Sequence, residues 1–270
     1  MNLIRHALQP RWLGYLALAM VFAVITSLFG LWQWDRRGQA VAEIDRVEVN
    51  FDRVAVPFDE LLPEGAAWSD DYRWRSVVIE GSYLEELTTL VRTRPRIGQV
   101  GFEVLVPFET LDGRLIVVNR GWIPTGESDD EPDFVPKAPS GVVSVTGRLF
   151  PSEPVIRGRS APEGQVATIH LSTLAQILDS DLEQRAYLAL SQEQPPVSPT
   201  PLLLDRPAAD EGPHLSYTFQ WFLFGLLGFI AWGYLLREDF RGAGRTDRVT
   251  SRRSDQDEED ALLDEWERTR

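Results

Sequence analysis

The chain has 270 residues, no cysteine and a formal net charge of −14 at neutral pH. Without cysteine there are no disulfides, thiolate metal sites or cysteine nucleophiles. The acidity argues against nucleic acid as a partner, because phosphate binding needs a basic face. The length allows one mid-sized domain or two small ones, and the apolar residues are unevenly spread along it.

Two uncharged stretches, residues 12–34 and 215–236, predict transmembrane helices. A helix rises about 1.5 Å per residue and needs about 20 apolar residues to cross a hydrocarbon core of about 30 Å. The first stretch is too long for a cleaved signal peptide, and no small-residue cleavage site precedes the charged Asp35. The second is longer than the uncharged run of an ordinary buried core helix. We interpret both as retained membrane spans.

The flanking charges predict the orientation of these spans. Residues 1–11 carry two arginines and no acid, and residues 237–253 carry six arginines against three acids. Positive flanks stay inside, so we expect both termini to be cytoplasmic and residues 35–214 to be exported. The short amino-terminal flank leaves no room for an organelle transit peptide, which indicates a multi-pass protein of a bacterial plasma membrane.

The exported segment, with 30 acidic and 17 basic residues, predicts a β-rich domain. Short runs of Val, Ile, Thr and aromatic residues alternate with period two. They predict strands at residues 72–84, 87–94, 101–110, 114–124, 141–150 and 165–172, the last of which contains His170.

The Asp112-Gly113 pair predicts a hairpin between two of these strands, and Ser172 is expected to cap a helix at 172–181. The predicted fold is therefore an α+β membrane protein. Two transmembrane helices flank a mostly antiparallel sheet or small barrel, and the pattern leaves closed barrel and open sheet undecided.

Three segments have the composition of loops or tails. Residues 125–141 form an acidic, proline-containing loop, and residues 192–201 form a stiff extended connector. The charged tail, residues 237–270, is predicted to be disordered at first and to end in a short amphipathic helix. The tail suggests no function.

Sequence motifs for catalysis are missing, so we expect no enzymatic activity. The chain has no G-x-S-x-G elbow, Walker loop, H-E-x-x-H or dinucleotide fingerprint. The acid run at 129–133 is interpreted as a solvated loop rather than a cation site.

The start of the second span carries the main candidate site. On a helix, one stripe contains a histidine, large aromatic residues and two glycines, at spacings of 3, 4, 4, 3 and 4: His214, Tyr217, Trp221, Gly225, Gly228 and Trp232. Neutral imidazole is a good ligand for iron, and the glycines allow close approach of the first span or of a flat ligand. Aromatic residues alone are typical of a membrane interface. The histidine fits a ligand and an interfacial anchor equally well.

The first span ends with similar residues on the same exported side. Gly30, Trp32, Gln33 and Arg36 lie where the chain leaves the membrane. The exported-side ends of both spans therefore carry polar and aromatic residues at one membrane surface, which predicts a shared site. Arg36 or Arg37 is a candidate partner for a carboxylate or propionate.

Four sequence segments resemble the Surfeit locus protein 1 family of cytochrome c oxidase assembly factors. They are "FGLWQWDRR", "GFEVLVPFETLDGRLIVVNRGWIP", "VTGRL" and "HLSYTFQWF". With the order of span, domain and span, the resemblance covers most of residues 12–236.

The resemblance implies a non-enzymatic role in which haem a is handled near the exported surface and passed to the oxidase catalytic subunit. Other respiratory-complex subunits and the lipid bilayer are further expected partners. The family's haem-linked histidine corresponds to His214, the candidate axial ligand of the haem iron, with Tyr217, Gln220, Trp221 and Arg36 as candidate cofactor-binding neighbours. A partner-binding or structural signature comprises Gly30, Trp32, Gln33, Asn119, Arg120, Gly121 and Trp122.

Three hypotheses remain at this point. In the first the protein is a haem chaperone, and in the second it is a haem-free scaffold that steadies a nascent or mature oxidase complex. A membrane-anchored sensor is the third hypothesis, and it requires the tail to contact a cytoplasmic partner.

Overall fold

The computed structural model describes residues 3–127 and 131–268, with side chains described up to residue 242. Asp129 and Asp130, two acids of the loop predicted at residues 125–141, lie outside the described residues. The chain forms two compact units. One comprises the residues up to Val41 together with those from Glu211 onward, and the other is Ala42–Asp210.

The first unit is helical. It contains α1 (Leu3–Ala7), most of α2 (Pro10–Asn50) and α5 (His214–Arg268). Two helical segments, Pro10–Asn50 and His214–Gly242, are long and apolar enough to cross a membrane. Helix α2 has 41 residues, about 60 Å at 1.5 Å per residue, so it extends well past the predicted span. Helix α5 continues to Arg268 through the tail for which the composition favours disorder. That tail contains no proline that would end the helix.

The second unit is the β-rich domain. Its helices are α3 (Phe58–Leu61) and α4 (Leu171–Ile177), with single 3-10 turns at Asp70–Tyr72 and Glu85–Leu87. Its strands are β1 (Val56–Pro57), β2 (Ser76–Tyr83), β3 (Thr89–Arg96), β4 (Gln99–Thr110), β5 (Leu115–Pro124), β6 (Val143–Pro151), β7 (Gln165–Val166) and β8 (Ala186–Gln194). Strands β2 to β6 match five of the six predicted strands, and the hairpin at Asp112-Gly113 joins β4 to β5.

Five strands close into a barrel. Strand β2 pairs with β6, β6 with β8, β8 with β5, β5 with β4, and β4 again with β2. Only the β5–β8 pair in this ring is parallel. Strands β1, β3 and β7 extend the sheet outside the ring. The predicted α+β membrane fold is confirmed, and of its two sheet alternatives the structure has the closed barrel.

The ring closes where β2 meets the end of β4. Gly81 pairs with Thr110 there, and a Cβ built on Gly81 would lie 1.9 Å from the carbonyl oxygen of Glu109. Any side chain at position 81 would push the two backbones apart. Closure of the barrel therefore requires glycine at this position.

Alternate residues of the strands enter two separate hydrophobic cores. On β5, Ile116 and Val118 face the barrel interior, together with Val104 of β4 and Leu188 of β8. Val117 faces the other way and packs on the outer core around α4. Successive side chains of a strand point to opposite surfaces of the sheet, and here each surface packs on its own core. Both surfaces of the barrel wall are therefore apolar where α4 covers it.

Two predictions in the last third of the domain are wrong. The strand predicted at 165–172 ends at Val166, and His170 caps α4 instead of lying in a strand. The backbone N–H of Thr173 donates to Nδ1 of His170 at 3.2 Å, so His170 rather than Ser172 is the cap. A local side-chain acceptor here competes successfully with strand pairing.

Strand β8 has no counterpart among the predicted strands. Its first five residues, Ala186 to Leu190, are all buried, because one surface faces the barrel interior and the other faces the outer core. Apolar residues on both surfaces remove the alternation that marks a strand in the sequence.

One buried carboxylate ties the chain before β8 to the barrel. Glu183 accepts hydrogen bonds from Arg114 Nη2 at 2.7 Å and from Arg185 Nε at 2.7 Å. Burial opposes ionisation, but these hydrogen bonds prevail and lower the pKa of Glu183 to about 2. Its charge therefore stabilises the folded state.

Replacing Glu183 with glutamine is expected to remove a pH-dependent contribution to stability. A carboxyl whose pKa falls from 4.5 to about 2 on folding stabilises the fold above pH 4.5, by about 3 kcal/mol at most. That contribution is lost as the pH falls through 2. Urea unfolding of the detergent-solubilised protein, followed between pH 7 and pH 2, should show a shallower pH dependence for Glu183→Gln than for wild type. Glu80→Gln, at an exposed carboxylate of β2, is the matched control.

Candidate functional site

The glycines of the predicted stripe bring α2 and α5 together. A Cβ on Gly225 would lie 2.8 Å from Oγ1 of Thr26 and 3.5 Å from Cα of Ala23. Gly228 lies against the ring of Phe22 in the same way, at 3.1 Å. Of the two roles considered for these glycines, the structure shows the close approach of the first helix.

Aromatic contacts continue this packing toward the start of α5. The rings of Phe29 and Trp221 are stacked with centroids 4.8 Å apart. The ring of Phe222 lies 3.1 Å from the position that a Cβ on Gly30 would occupy. At the other end of the pair, Trp232 Nε1 donates to the backbone oxygen of Trp12 at 3.1 Å. Trp221 and Gly30 are therefore part of the helix contact.

His214 is the first residue of α5 and is held by the first helix. It follows Pro213, a residue suited to a helix start because its missing N–H would have no acceptor. Nδ1 of His214 lies 2.8 Å from Oε1 of Gln33. An amide oxygen only accepts hydrogen bonds, so this contact places a proton on Nδ1, and in the neutral ring the lone pair is then on Nε2. Among the described contacts, Nε2 has no hydrogen-bond partner.

A charged pair lies beside this histidine. Arg37 Nη2 lies 2.8 Å from Oε2 of Glu211. Arg36, the other candidate arginine, donates to Oε1 of Gln39 at 2.8 Å on the exposed side of α2. Among the described contacts, Arg37 is paired with an acid that lies just before α5, whereas Arg36 bonds to a neutral amide and has no acidic partner.

The remaining helix candidates face outward. Tyr217 is 43% exposed and Trp32 is 55% exposed, and Gln220 is exposed as well. The structure therefore brings His214 and Gln33 into contact but places Tyr217, Gln220 and Trp32 on the outer surface of the helix pair.

The Asn-Arg-Gly-Trp signature lies on β5, in the domain. Oδ1 of Asn119 accepts from the backbone N–H of Gly121 at 3.0 Å. Gly121 has φ of 125°, and a Cβ there would lie 2.5 Å from the backbone oxygen of Leu202. Trp122 exchanges two backbone hydrogen bonds of 2.8 Å with Leu202, and its Nε1 donates to the oxygen of Arg94 at 2.7 Å. Gly121 and Trp122 therefore join β5 to the segment that follows β8.

Arg120 is enclosed inside the barrel. Its exposed fraction is 0%, and Nη2 donates to Oε1 of Glu193 at 2.8 Å. The hydroxyl of Tyr83 donates to the second oxygen of Glu193 at 3.0 Å, and Nη1 of Arg120 donates to the oxygen of Pro136 at 3.0 Å. The arginine has a structural role, because a buried charge must be paired and hydrogen-bonded.

Sequence reasoning singled out Arg120 but not its partners. Period two puts residue 120 on the same face as Ile116 and Val118, so the strand pattern itself indicated an arginine pointing into the core. Tyr83 and Glu193 stand 37 residues before and 73 residues after it. No local pattern connects such distant residues.

The fold and these contacts define a class of protein: a small closed β-barrel domain combined with two helices able to span a membrane. The SURF1 family model matches residues 20–226. SURF1-like proteins of Mycobacterium bovis and Mycobacterium tuberculosis are 32% identical over 240 residues, covering 86% of this chain and 87% of theirs. A SURF1-like protein of Rickettsia felis is 21% identical, covering 77% of this chain and 89% of its own.

The chain belongs to the SURF1 family, whose members are generally cytochrome oxidase assembly factors. The family resemblance predicted from the four sequence segments is confirmed. Bacterial relatives together with the two candidate spans agree with a bacterial membrane protein.

Enlarging Gly225 is expected to separate the two helices. Gly225→Leu would force side-chain atoms into Thr26, and overpacking of this kind costs about 1–3 kcal/mol. Because the chain has no cysteine, a cross-link between Phe29→Cys and Trp221→Cys would report the helix contact. Cross-linking should fall several-fold with Gly225→Leu. It should not fall with Gly233→Leu on the same helix, where a Cβ meets nothing within 4 Å.

Removing one member of the buried ion pair is expected to cost more than removing both. Arg120→Met leaves the carboxylate of Glu193 buried without its cation, at a cost of about 3–5 kcal/mol. The double variant Arg120→Met with Glu193→Leu should recover most of that loss. Urea unfolding in detergent measures both values, and a double variant less stable than the single one would contradict the structural role.

Proposed function

We propose that this protein is a non-enzymatic assembly factor for cytochrome c oxidase that handles haem a at the exported membrane surface. It would pass the haem to the catalytic subunit, and other respiratory-complex subunits are candidate partners. One observation carries the haem part of the proposal: the hydrogen bond of 2.8 Å between His214 Nδ1 and Gln33 Oε1. Membership of the SURF1 family supports the oxidase part.

The Gln33 contact prepares His214 to bind iron. An axial imidazole ligand must be neutral and must present one nitrogen lone pair to the metal. A hydrogen bond from the opposite ring nitrogen selects that tautomer, orients the ring and raises the basicity of the ligating atom. The donor set of this chain therefore fits haem iron through Nε2 of His214.

The surroundings of His214 suit a cargo that must leave again. The neighbouring Tyr217 and Gln220 are exposed rather than gathered into an enclosed pocket. The charge of Arg36 is available to a haem propionate, whereas Arg37 is occupied by Glu211. One protein ligand and an open surface allow binding without trapping the cofactor.

The charge pattern supports an orientation for this site. The arginine-rich flanks on both ends favour cytoplasmic termini, which would put His214 and Gln33 on the exported side. Haem would then be held where the helices leave the hydrocarbon, and the barrel domain would be exported with it.

A second candidate function is a haem-free scaffold for the oxidase complex. The observation that favours it is the stacking of Trp221 on Phe29, together with glycines that are already covered by the first helix. The stripe of α5 that suggested a flat ligand then serves mainly to pack against α2. His214 would be an interfacial anchor that fastens α5 to Gln33.

The visible spectrum of protein purified from cells that synthesise haem a, with the extracted haem identified, separates the two functions. Wild type should carry haem a, and His214→Ala should lose it. Gln33→Ala should weaken retention by roughly 10–100-fold, the usual cost of removing such a supporting hydrogen bond.

Gln39→Ala is the matched control, since Gln39 lies on the exposed side of the same helix and bonds to Arg36 and Asp35. It should leave the haem content unchanged. Wild-type protein without haem, combined with normal oxidase assembly by His214→Ala, would contradict the haem proposal and leave the scaffold.

A further inference from the structure

The barrel wall has a gap between β5 and β8. Their parallel pairing consists of two residue pairs, Val118 with Leu188 and Asn119 with Ala189. Beyond these pairs Trp122 bonds to Leu202, in the segment after β8, instead of to β8 itself. A partly open cavity of about 140 Å³ lies at this gap. The proposed haem function does not involve this cavity.

Four aromatic side chains line the cavity. Trp74, Trp122, Phe150 and Tyr187 are each less than a tenth exposed. Phe150 is stacked on Tyr187 with centroids 5.6 Å apart, and Trp74 meets Phe150 edge-on at 4.7 Å. These contacts hold aromatic rings in place around a space large enough for one further flat group.

Hydrogen bonds from the indole N–H groups hold two of these aromatic side chains in place. Trp74 Nε1 donates to Oε1 of Glu43 at 2.8 Å, and Trp122 Nε1 donates to the oxygen of Arg94 at 2.7 Å. Trp74 also has φ of 71°, a conformation that costs a bulky residue energy and that is enriched at functional sites.

Glu103, on the polar wall of the cavity, belongs to a cluster that has two acids and one base. Arg94 lies between two carboxylates, with Nε 3.1 Å from Glu103 and Nη2 2.5 Å from Glu153. Glu103 lines the cavity. The cluster therefore has one base for two acids, so a second cation could pair with it.

Arg96, the arginine that lines the cavity, is already paired. Nη1 of Arg96 donates to the backbone oxygens of Leu202 and Leu203, and Nη2 donates to Asp205 at 2.6 Å. Burial raises the pKa of Glu103; Arg94 opposes this rise and Glu153 adds to it. A second cation beside Glu103 would favour its ionised form.

We propose that this cavity binds the guanidinium group of an arginine side chain from a partner protein. A planar guanidinium stacks on aromatic faces and pairs with a carboxylate through two hydrogen bonds, as Lys does not. Ligand pockets usually measure about 300 Å³ or more, so a cavity of about 140 Å³ takes one side chain and excludes a porphyrin.

The rim and the charge of the domain agree with such a partner. Leu202 and Leu204 line the cavity and are 53% and 41% exposed, which provides an apolar surface for the methylene stem of arginine. The segment 35–214 has 30 acidic and 17 basic residues. Its field would attract a basic partner surface.

Titration of the full-length protein in nanodiscs with N-acetyl-arginine amide tests the proposal. The indole N–H signals of Trp74 and Trp122, assigned from tryptophan-to-phenylalanine variants, should shift in the millimolar range. Those of Trp32 and Trp34, in the other unit, should not. N-acetyl-citrulline amide has the same shape without the charge and should cause no shift. Equal shifts with both compounds would overturn the proposal.

Two variants test the site itself. Glu103→Gln keeps the shape, removes the charge and should weaken binding roughly tenfold. Glu109→Gln, at an exposed carboxylate of the same strand, should bind as wild type does. Leu204→Tyr narrows the mouth of the cavity and should also weaken binding. It decides the question if the indole spectrum shows that Glu103→Gln is unfolded. If Glu103→Gln is folded and binds the arginine derivative as strongly as wild type, the site is refuted. If Glu103→Gln is unfolded, binding of wild-type strength by Leu204→Tyr refutes it.

Discussion

The crossing of β2 over the end of β4 at Gly81 is the constraint on which the domain depends. A Cβ at that position would lie 1.9 Å from a backbone oxygen, a distance at which no non-bonded carbon and oxygen coexist. With hydrogen at this position the two strands pair and the five-stranded ring closes. Closure creates an interior from which water is excluded. The buried charge of Arg120 must therefore be paired within the protein, and Glu193 provides the partner.

The helical unit depends on a similar absence of side chains. Gly225 lets the backbone of α5 approach Thr26 and Ala23. In hydrocarbon, apolar burial offers no advantage over lipid, so close van der Waals contact and interhelical hydrogen bonds must hold helices together. The approach of the two backbones also brings Gln33 within hydrogen-bond distance of His214. Packing of the helices and the tautomer of the histidine are consequences of one geometry.

Much of the architecture was predictable because it depends on local patterns. The uncharged runs predicted two long helices, and period-two alternation predicted four of the five barrel strands together with β3 outside the ring. Prediction was wrong where tertiary contacts replace the local pattern. Strand β8 is buried on both surfaces and shows no alternation. His170 has the neighbours of a strand residue, yet its ring nitrogen caps a helix through Thr173.

The sequence by itself determined the classes of structure present: apolar segments long enough to span a bilayer, an alternating β domain, and a histidine at the start of the second span. These properties depend on neighbours within a few turns or strands. Only the tertiary structure decided which side chains meet: His214 with Gln33, 181 residues apart, and Arg120 with Glu193, 73 residues apart. Hydrogen bonds and ion pairs act over a few ångströms, so partners distant in sequence are identified only after the backbone has closed around them.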